Sequence, residues 1–167
     1  ELMSNFNESL QYVLKKEGGY VNDPNDKGGE TYKGVARNMW PQWNGWKCVD
    51  VKDWAGADSC IESFYRDNFW IPCKLDYIEN NEIATSIFDF AVNAGVKTSV
   101  MLAQKAVGID HDGVIGNKTI SAINDADPSD FMAAFAFVKI ARYISICKRN
   151  PSQKKYFYGW VCRILNV

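Results

Sequence analysis

Apolar residues recur at helical spacing along most of the chain, and the recurrent stretches break at glycine or proline. Phe6, Leu10, Val13 and Leu14 share one face of a segment that opens at Asn5, with Glu8 three residues on as in a capping box, and closes at Gly18-Gly19. The spacing predicts a helix over 5–17, followed by a loop from Tyr20 to Glu30 and a short extended piece over 31–35. Trp40, Pro41, Trp43, Asn44, Gly45 and Trp46 form an irregular aromatic stretch. A second helix is expected over 57–68, with Ile61, Phe64 and Tyr65 inward and Pro72 beyond its end. Ile83, Ile87, Phe90, Ala91 and Ala94 make the stripe of a third, which stops at Gly95. Residues 98–107 form another, closed by Gly108. The turn over 109–119 leads into a short helix ending near Asn124. Asp127-Pro128 opens the longest helix, to about Arg149, where Asn150-Pro151 halts it. A last helix runs from Ser152, with Phe157, Trp160, Ile164 and Leu165 inward. No alternating stretch is long enough for a strand, so the fold class is mainly α. No Gly/Ser linker, low-complexity tract or tandem repeat divides the chain.

Composition narrows the choices. With 167 residues, 47% of them hydrophobic, the chain can bury the core of one compact domain or of two small lobes. A net charge of -1 gives it no basic surplus for nucleic acid. No segment approaches the roughly twenty apolar residues that span a bilayer. The start, ELMSNFNESL, lacks the basic and apolar regions of a signal peptide, so the expectation is a chain made in the cytoplasm. Five cysteines without a CxxC pair suggest free, buried thiols, with room for one bridge if the protein leaves the cell.

The chemistry gathers in KKEGGYVNDPNDKGGETYKGV, residues 15–35, a turn longer than a plain connection needs. Glu17 stands at the C-terminal end of the first helix, where the helix dipole opposes ionisation of its carboxyl group while Lys15 and Lys16 favour it. A carboxylic acid that keeps its proton is what a general acid in glycoside cleavage requires. The spacing E-x8-D-x4-T adds Asp26, to hold an attacking water or stabilise positive charge on the sugar, and Thr31, to orient that water. Gly28 and Gly29 permit the positive-φ turn that brings the three to one cleft.

The same run, EGGYVNDPNDKGGETYKGV, resembles the signature of glycoside hydrolase family 108, peptidoglycan N-acetylmuramidases of phages and bacteria. The spacing is also similar to that of phage-type lysozymes, in which the threonine lies one residue later. FYRDNFWIPCKLDYI, FDFAVNAGVKTSVMLAQKAVGIDHDGVIGNKTISAI and the ending NPSQKKYFYGWVCRI, with its Gly-Trp-x-x-Arg pattern, look like later parts of the same family in the same order. The resemblance implies a lysozyme-like helical fold with a catalytic loop after the first helix. It implies a catalytic lobe over 1–94 and a peptidoglycan-binding lobe over 95–167, packed as one compact unit. The glutamate of E-G-G-Y carries over as the catalytic acid, Glu17, and Asp26 and Thr31 follow from the lysozyme analogy. Tyr20 and Tyr32, which flank the site, and Asp89 and Asn93, in the D-x-x-V-N-x-G stretch, are the candidate substrate contacts. Stacking of Trp40, Trp43 and Trp46 on sugars competes with their filling the core.

The partner implied is the glycan strand of peptidoglycan, met by a monomer that reaches the wall through a holin or another export path. Cleavage needs no cofactor and no metal. The loop around Asp23, Asn25 and Gly28 has Lys27 and Gly34 at calcium-ligand positions, and DHDG at 110–113 is followed by Ser121 at the final one, so neither reads as a calcium site. A zinc amidase would need more ligands than His111, the single histidine, supplies. A Cys-His peptidase would have to use His111 with Cys60 or Cys73, neither in a nucleophile context. The alternative of a different class is a glycan-binding or secretion-associated module that keeps this fold without turnover.

Overall fold

A computed structural model describes residues 4–23 and 29–167. Helix α1, Phe6–Glu17, is capped by the Asn5 side chain, which accepts from the Glu8 amide. The Glu8 carboxylate does not return the bond; it accepts from Asn81 Nδ2 at 3.2 Å. Phe6, Leu10 and Val13 are buried, and Gly18, at φ 71°, ends the helix.

The chain then forms a small antiparallel sheet that the hydrophobic pattern did not predict as strands: β1, Tyr20–Val21, β2, Thr31–Tyr32, and β3, Val35–Ala36, in that order. Tyr20 pairs with Tyr32 and Val21 with Thr31, and Tyr32 pairs with Val35 across a two-residue turn. Lys33 at φ 44° and Gly34 at φ 86° both take the left-handed conformation that such a tight hairpin demands. Tyr65 holds the turn by donating its hydroxyl to the Lys33 carbonyl at 2.7 Å. Two-residue strands carry no alternation to read, which is why sequence pattern misses them.

The expected irregular aromatic stretch runs into a short helix, α2, Trp46–Asp50. Helix α3, Trp54–Tyr65, starts earlier than Ala57 because Asp53 caps it by accepting from the Gly56 amide, and it continues as a π-helical turn over Arg66–Trp70. A 3-10 turn, Leu75–Tyr77, leads to α4, Asn81–Ala94, capped by Asn80 and ended by Gly95 at φ 94°. Helix α5, Val96–Ala106, begins directly at that glycine rather than at Thr98. Helix α6 is Asn117–Asn124, and α7, Pro128–Arg149, starts where Asp127 accepts from the amides of Ser129 and Asp130. A 3-10 turn, Pro151–Gln153, precedes α8, Lys154–Leu165. Phe157, Trp160 and Ile164 pack against the core, whereas Leu165, expected inward, is exposed.

Helix α1 lies on α4, α4 also packs on α5 and α7, and α8 lies on α7. One hydrophobic cluster, from Phe6 through Trp70, Phe88 and Ile123 to Tyr143, runs through both halves of the chain. The DHDG turn is organised by the buried side chain of Gln104, which donates to Asp112 Oδ1, Thr119 Oγ1 and the Val114 carbonyl and accepts from the Gly113 amide. Asp112 there is a structural turn residue. All five cysteines are free, and Cys73 and Cys147 are buried; burial pushes the Cys73 thiol up to about 12.

Candidate active site

Glu17 is the last residue of α1, so its side chain leaves the helix where the sheet begins. Its carboxylate is one fifth exposed, and Oε1 accepts from Arg163 Nη2 at 3.1 Å. Oε2 has no hydrogen-bond partner among the described residues. The neighbouring wall is the β2–β3 turn: a side chain built on Gly34 would overlap the Tyr65 hydroxyl and press on Glu17 Cγ and Oε2 at 3.0 Å. Glycine at 34 therefore serves both the turn's backbone and the space for Glu17. Burial, and next the negative charge of Glu17, raise the Tyr65 phenol above its ordinary range, with Arg163 opposing.

Arg163, the arginine of the Gly-Trp-x-x-Arg ending, is the residue whose place at the site sequence reasoning missed. The same Nη2 reaches Asp89 Oδ1 at 3.4 Å, and the other Asp89 oxygen pairs with Lys16 at 3.3 Å. Helices α1, α4 and α8 thus meet in a charged network of Lys16, Glu17, Asp89 and Arg163. Asp89, a carboxylate in an apolar run, has the partners that burial requires. Burial works against the Arg163 charge, but the carboxylates of Asp89 and Glu17 outweigh it and hold the guanidinium above the usual arginine value. A signal did exist: Arg163 lies three residues after Trp160 and one before Ile164, on the face of α8 that packs inward.

The other candidates separate. Asp26 lies outside the described residues, as do Asn25, Lys27 and Gly28 of the same loop. Thr31 sits on β2, half-buried, with its hydroxyl donating to the Gly29 carbonyl at 3.3 Å; Gly29 has the positive φ, 65°, expected of it. Tyr32 is buried, with its ring stacked on Trp54 at 5.8 Å and on Trp43 at 6.2 Å, which leaves almost none of it open to a ligand. Its hydroxyl donates to Asp58 Oδ1 at 2.7 Å; burial first, and then that carboxylate, push the phenol up to about 12. Tyr20 is exposed, packs on the exposed ring of Trp54 at 5.4 Å and donates to Glu30 Oε1 at 2.9 Å. Asn93 is exposed one turn after Asp89, with its amide donating to Tyr143 Oη at 2.9 Å. Trp46 is buried, whereas Trp40 and Trp43 are half-buried and line a groove of about 520 Å³ beside Pro41, Asn44 and Phe64. A second cleft, of about 510 Å³, has Asp89 and Arg163 in its wall.

Among the described residues no group of three histidine, cysteine, aspartate or glutamate side chains converges on a metal position. No described helix is long and apolar enough to cross a membrane.

The arrangement is a carboxyl group held by one oxygen at the mouth of a glycine-walled turn, with α8 reaching back to it. Residues 10–95, half of the chain, match the family described as glycosyl hydrolase 108. The chain belongs to that family. A second family, described as "Predicted Peptidoglycan domain", matches residues 98–165, so this family 108 member is a glycoside hydrolase directed at peptidoglycan. Among solved structures, SagA of Brucella abortus is similar at 28% identity with a TM-score of 0.76, over 96% of this chain and 90% of that one. The fold is lysozyme-like. No curated protein matches the chain.

Proposed function

We propose that this family 108 protein is an N-acetylmuramidase, which hydrolyses the β-1,4 bond between N-acetylmuramic acid and N-acetylglucosamine with Glu17 as general acid. The observation that carries the reading is the unequal state of the two Glu17 oxygens, Oε1 anchored on Arg163 and Oε2 left for a ligand. A proton on Oε2 passes to the glycosidic oxygen as the bond from that oxygen to the sugar carbon breaks, and positive charge builds on the ring. Asp26 and Thr31 hold the water that attacks that carbon, and the attacking water's proton leaves through Asp26. Tyr20 and Asn93 contact the glycan. Asp89 acts through Arg163, and Tyr32 stiffens the hairpin beneath Tyr20. Residues 1–94 form the catalytic lobe and 95–167 the peptidoglycan-binding lobe. The protein works as a monomer, made in the cytoplasm and delivered to the wall by a holin or another export path.

The test is cleavage of purified peptidoglycan of defined stem composition by wild type and Glu17→Gln, with mass spectrometry of the fragments. Fragments with muramic acid at the reducing end, reduced by about two orders of magnitude or more in the variant, are expected for loss of a general acid. Cleavage that survives in Glu17→Gln would place the acid elsewhere, and binding without cleavage by wild type would replace the enzyme reading with that of a glycan-binding module.

A further inference from the structure

Lys139 is a lysine on the buried side of α7. Phe131, Phe135, Tyr143 and Cys147 sit at four-residue steps on the same stripe, all buried, and Lys139 itself is only 7% exposed. Its ammonium group lies 4.1 Å from the centre of the Phe135 ring and 5.3 Å from that of Phe90, and its one hydrogen bond is to Ser86 Oγ at 3.3 Å. Among the described residues it belongs to no ion pair, although buried cations are ordinarily paired. Asp89, the carboxylate that acts on it through space, is already shared by Lys16 and Arg163.

Lys139 lines the cleft of about 510 Å³ between α1, α4, α7 and α8, a size that suits a small ligand. The chemistry of the lining is divided. Lys139 and Tyr143 of α7 and Asn93 near the end of α4 offer a cation, a hydroxyl and an amide, and the exposed carboxylates of Glu8 on α1 and Glu82 at the start of α4 also line it. A ligand that satisfies both carries a carboxylate and, some way along, an amine. Arg163 lines this cleft and also holds Glu17, so the cleft adjoins the acid.

We propose that this cleft is a subsite for the peptide stem borne by the muramic acid residues, with the Lys139 ammonium receiving a stem carboxylate and Glu8 and Glu82 facing the amine of its diamino acid. The proposal rests on the reading of the protein as a peptidoglycan glycosidase. Glu17 would then act on a sugar placed partly by its peptide, and strands stripped of stems would be poorer substrates.

Binding and cleavage separate the two readings. Free stem tetrapeptide, L-alanyl-γ-D-glutamyl-meso-diaminopimelyl-D-alanine, is titrated into the ¹⁵N-labelled full chain and followed by amide shifts. Changes confined to the cleft's lining, residues 8–12, 81–93, 132–143 and 163–166, with affinity at least tenfold weaker in Lys139→Met, are expected. Absence of shifts in wild type overturns the proposal without reference to any variant. Stem-bearing and amidase-stripped glycan strands are then compared as substrates. The expectation is a kcat/KM about tenfold higher on the stem-bearing strand, and a Lys139→Met enzyme that loses this preference while cleaving stripped strands as wild type does. Equal cleavage of both strands by wild type, or an equal fall on both in Lys139→Met, overturns the stem subsite and leaves the muramidase reading standing. Peptide binding at the cleft with cleavage of neither strand keeps the subsite and removes the muramidase.

Discussion

Replacing Arg163 with alanine removes the ion pair that ties α8 to Glu17. Two charge-assisted hydrogen bonds are lost, at 3.1 and 3.4 Å, each worth about 1.5–3 kcal/mol when well formed and dry. Here the guanidinium is 32% exposed and its partners 20% and 14%, so solvent screening reduces each to about 1 kcal/mol. Lys16 remains beside Asp89, which limits the penalty left behind. The expected loss is about 2 kcal/mol, which for a domain of this size lowers Tm by about 4–8 °C. Activity should fall further than stability, because Oε1 loses its anchor and a misplacement of about 1 Å at a reacting group can remove a hundredfold in rate. Thermal unfolding by circular dichroism, with kcat and KM on soluble glycan fragments well below Tm, measures both. The fall belongs in kcat, by about tenfold or more, with KM little changed. Arg163→Lys should recover only part of it, since the charge that Nη2 brings to both carboxylates would sit on a shorter, more flexible stem without the rigid guanidinium plane. An Arg163→Ala enzyme with wild-type kcat would refute the assignment of Arg163 as the residue that positions Glu17.

Two further substitutions test the surroundings. Gly34→Ala should lower stability by about 2 kcal/mol or more and reduce turnover, because it combines a strained φ of 86° with overlap on Tyr65 and Glu17; Gly95→Ala, at φ 94° with no atom within 4 Å, supplies the control with strain alone, about 1 kcal/mol, and full activity. Burial lowers the Lys139 pKa from 10.5 to about 8, with Asp89 opposing and Lys16 adding to the shift. The folded state therefore bears the full penalty of the buried ammonium below about pH 8, and sheds it as pH rises towards 10.5, where the unfolded chain also loses its proton. Lys139→Met should accordingly be more stable than wild type by about 3 kcal/mol at pH 7, and chemical denaturation should show the gap closing between pH 8 and 10.5. A gap that widens over that range would contradict the assignment.

The helices were legible because local chemistry marks their ends. Asn5, Asn80 and Asp127 cap as their positions suggest, and Gly18, Gly95 and Gly108 adopt positive φ where the stripes stop. What escaped depends on partners far away in sequence. The strands exist only through pairing of Tyr20 with Tyr32 and Tyr32 with Val35. Helix α2 has no side-chain cap at Gly45 and rests on packing of Trp46 and Val49. At the site, Glu17 was marked by its place at the helix end. Tyr32 was not marked as enclosed, since Trp54, which covers one of its faces, lies on another helix. Arg163 and Lys139 are charges on otherwise apolar stripes. That pattern was present in the sequence, but their partners lie 146 and 53 residues away.

The 146 residues between Glu17 and Arg163 also have a meaning in time. At about 5–20 residues per second, a ribosome takes roughly 7–30 s to travel from Glu17 to Arg163. Throughout that interval the nascent chain carries Glu17 without its clasp, and the β2–β3 turn beside it forms before the helix that completes the ion pair exists. Hydrolytic competence would arrive with the docking of α8, late and in a single step.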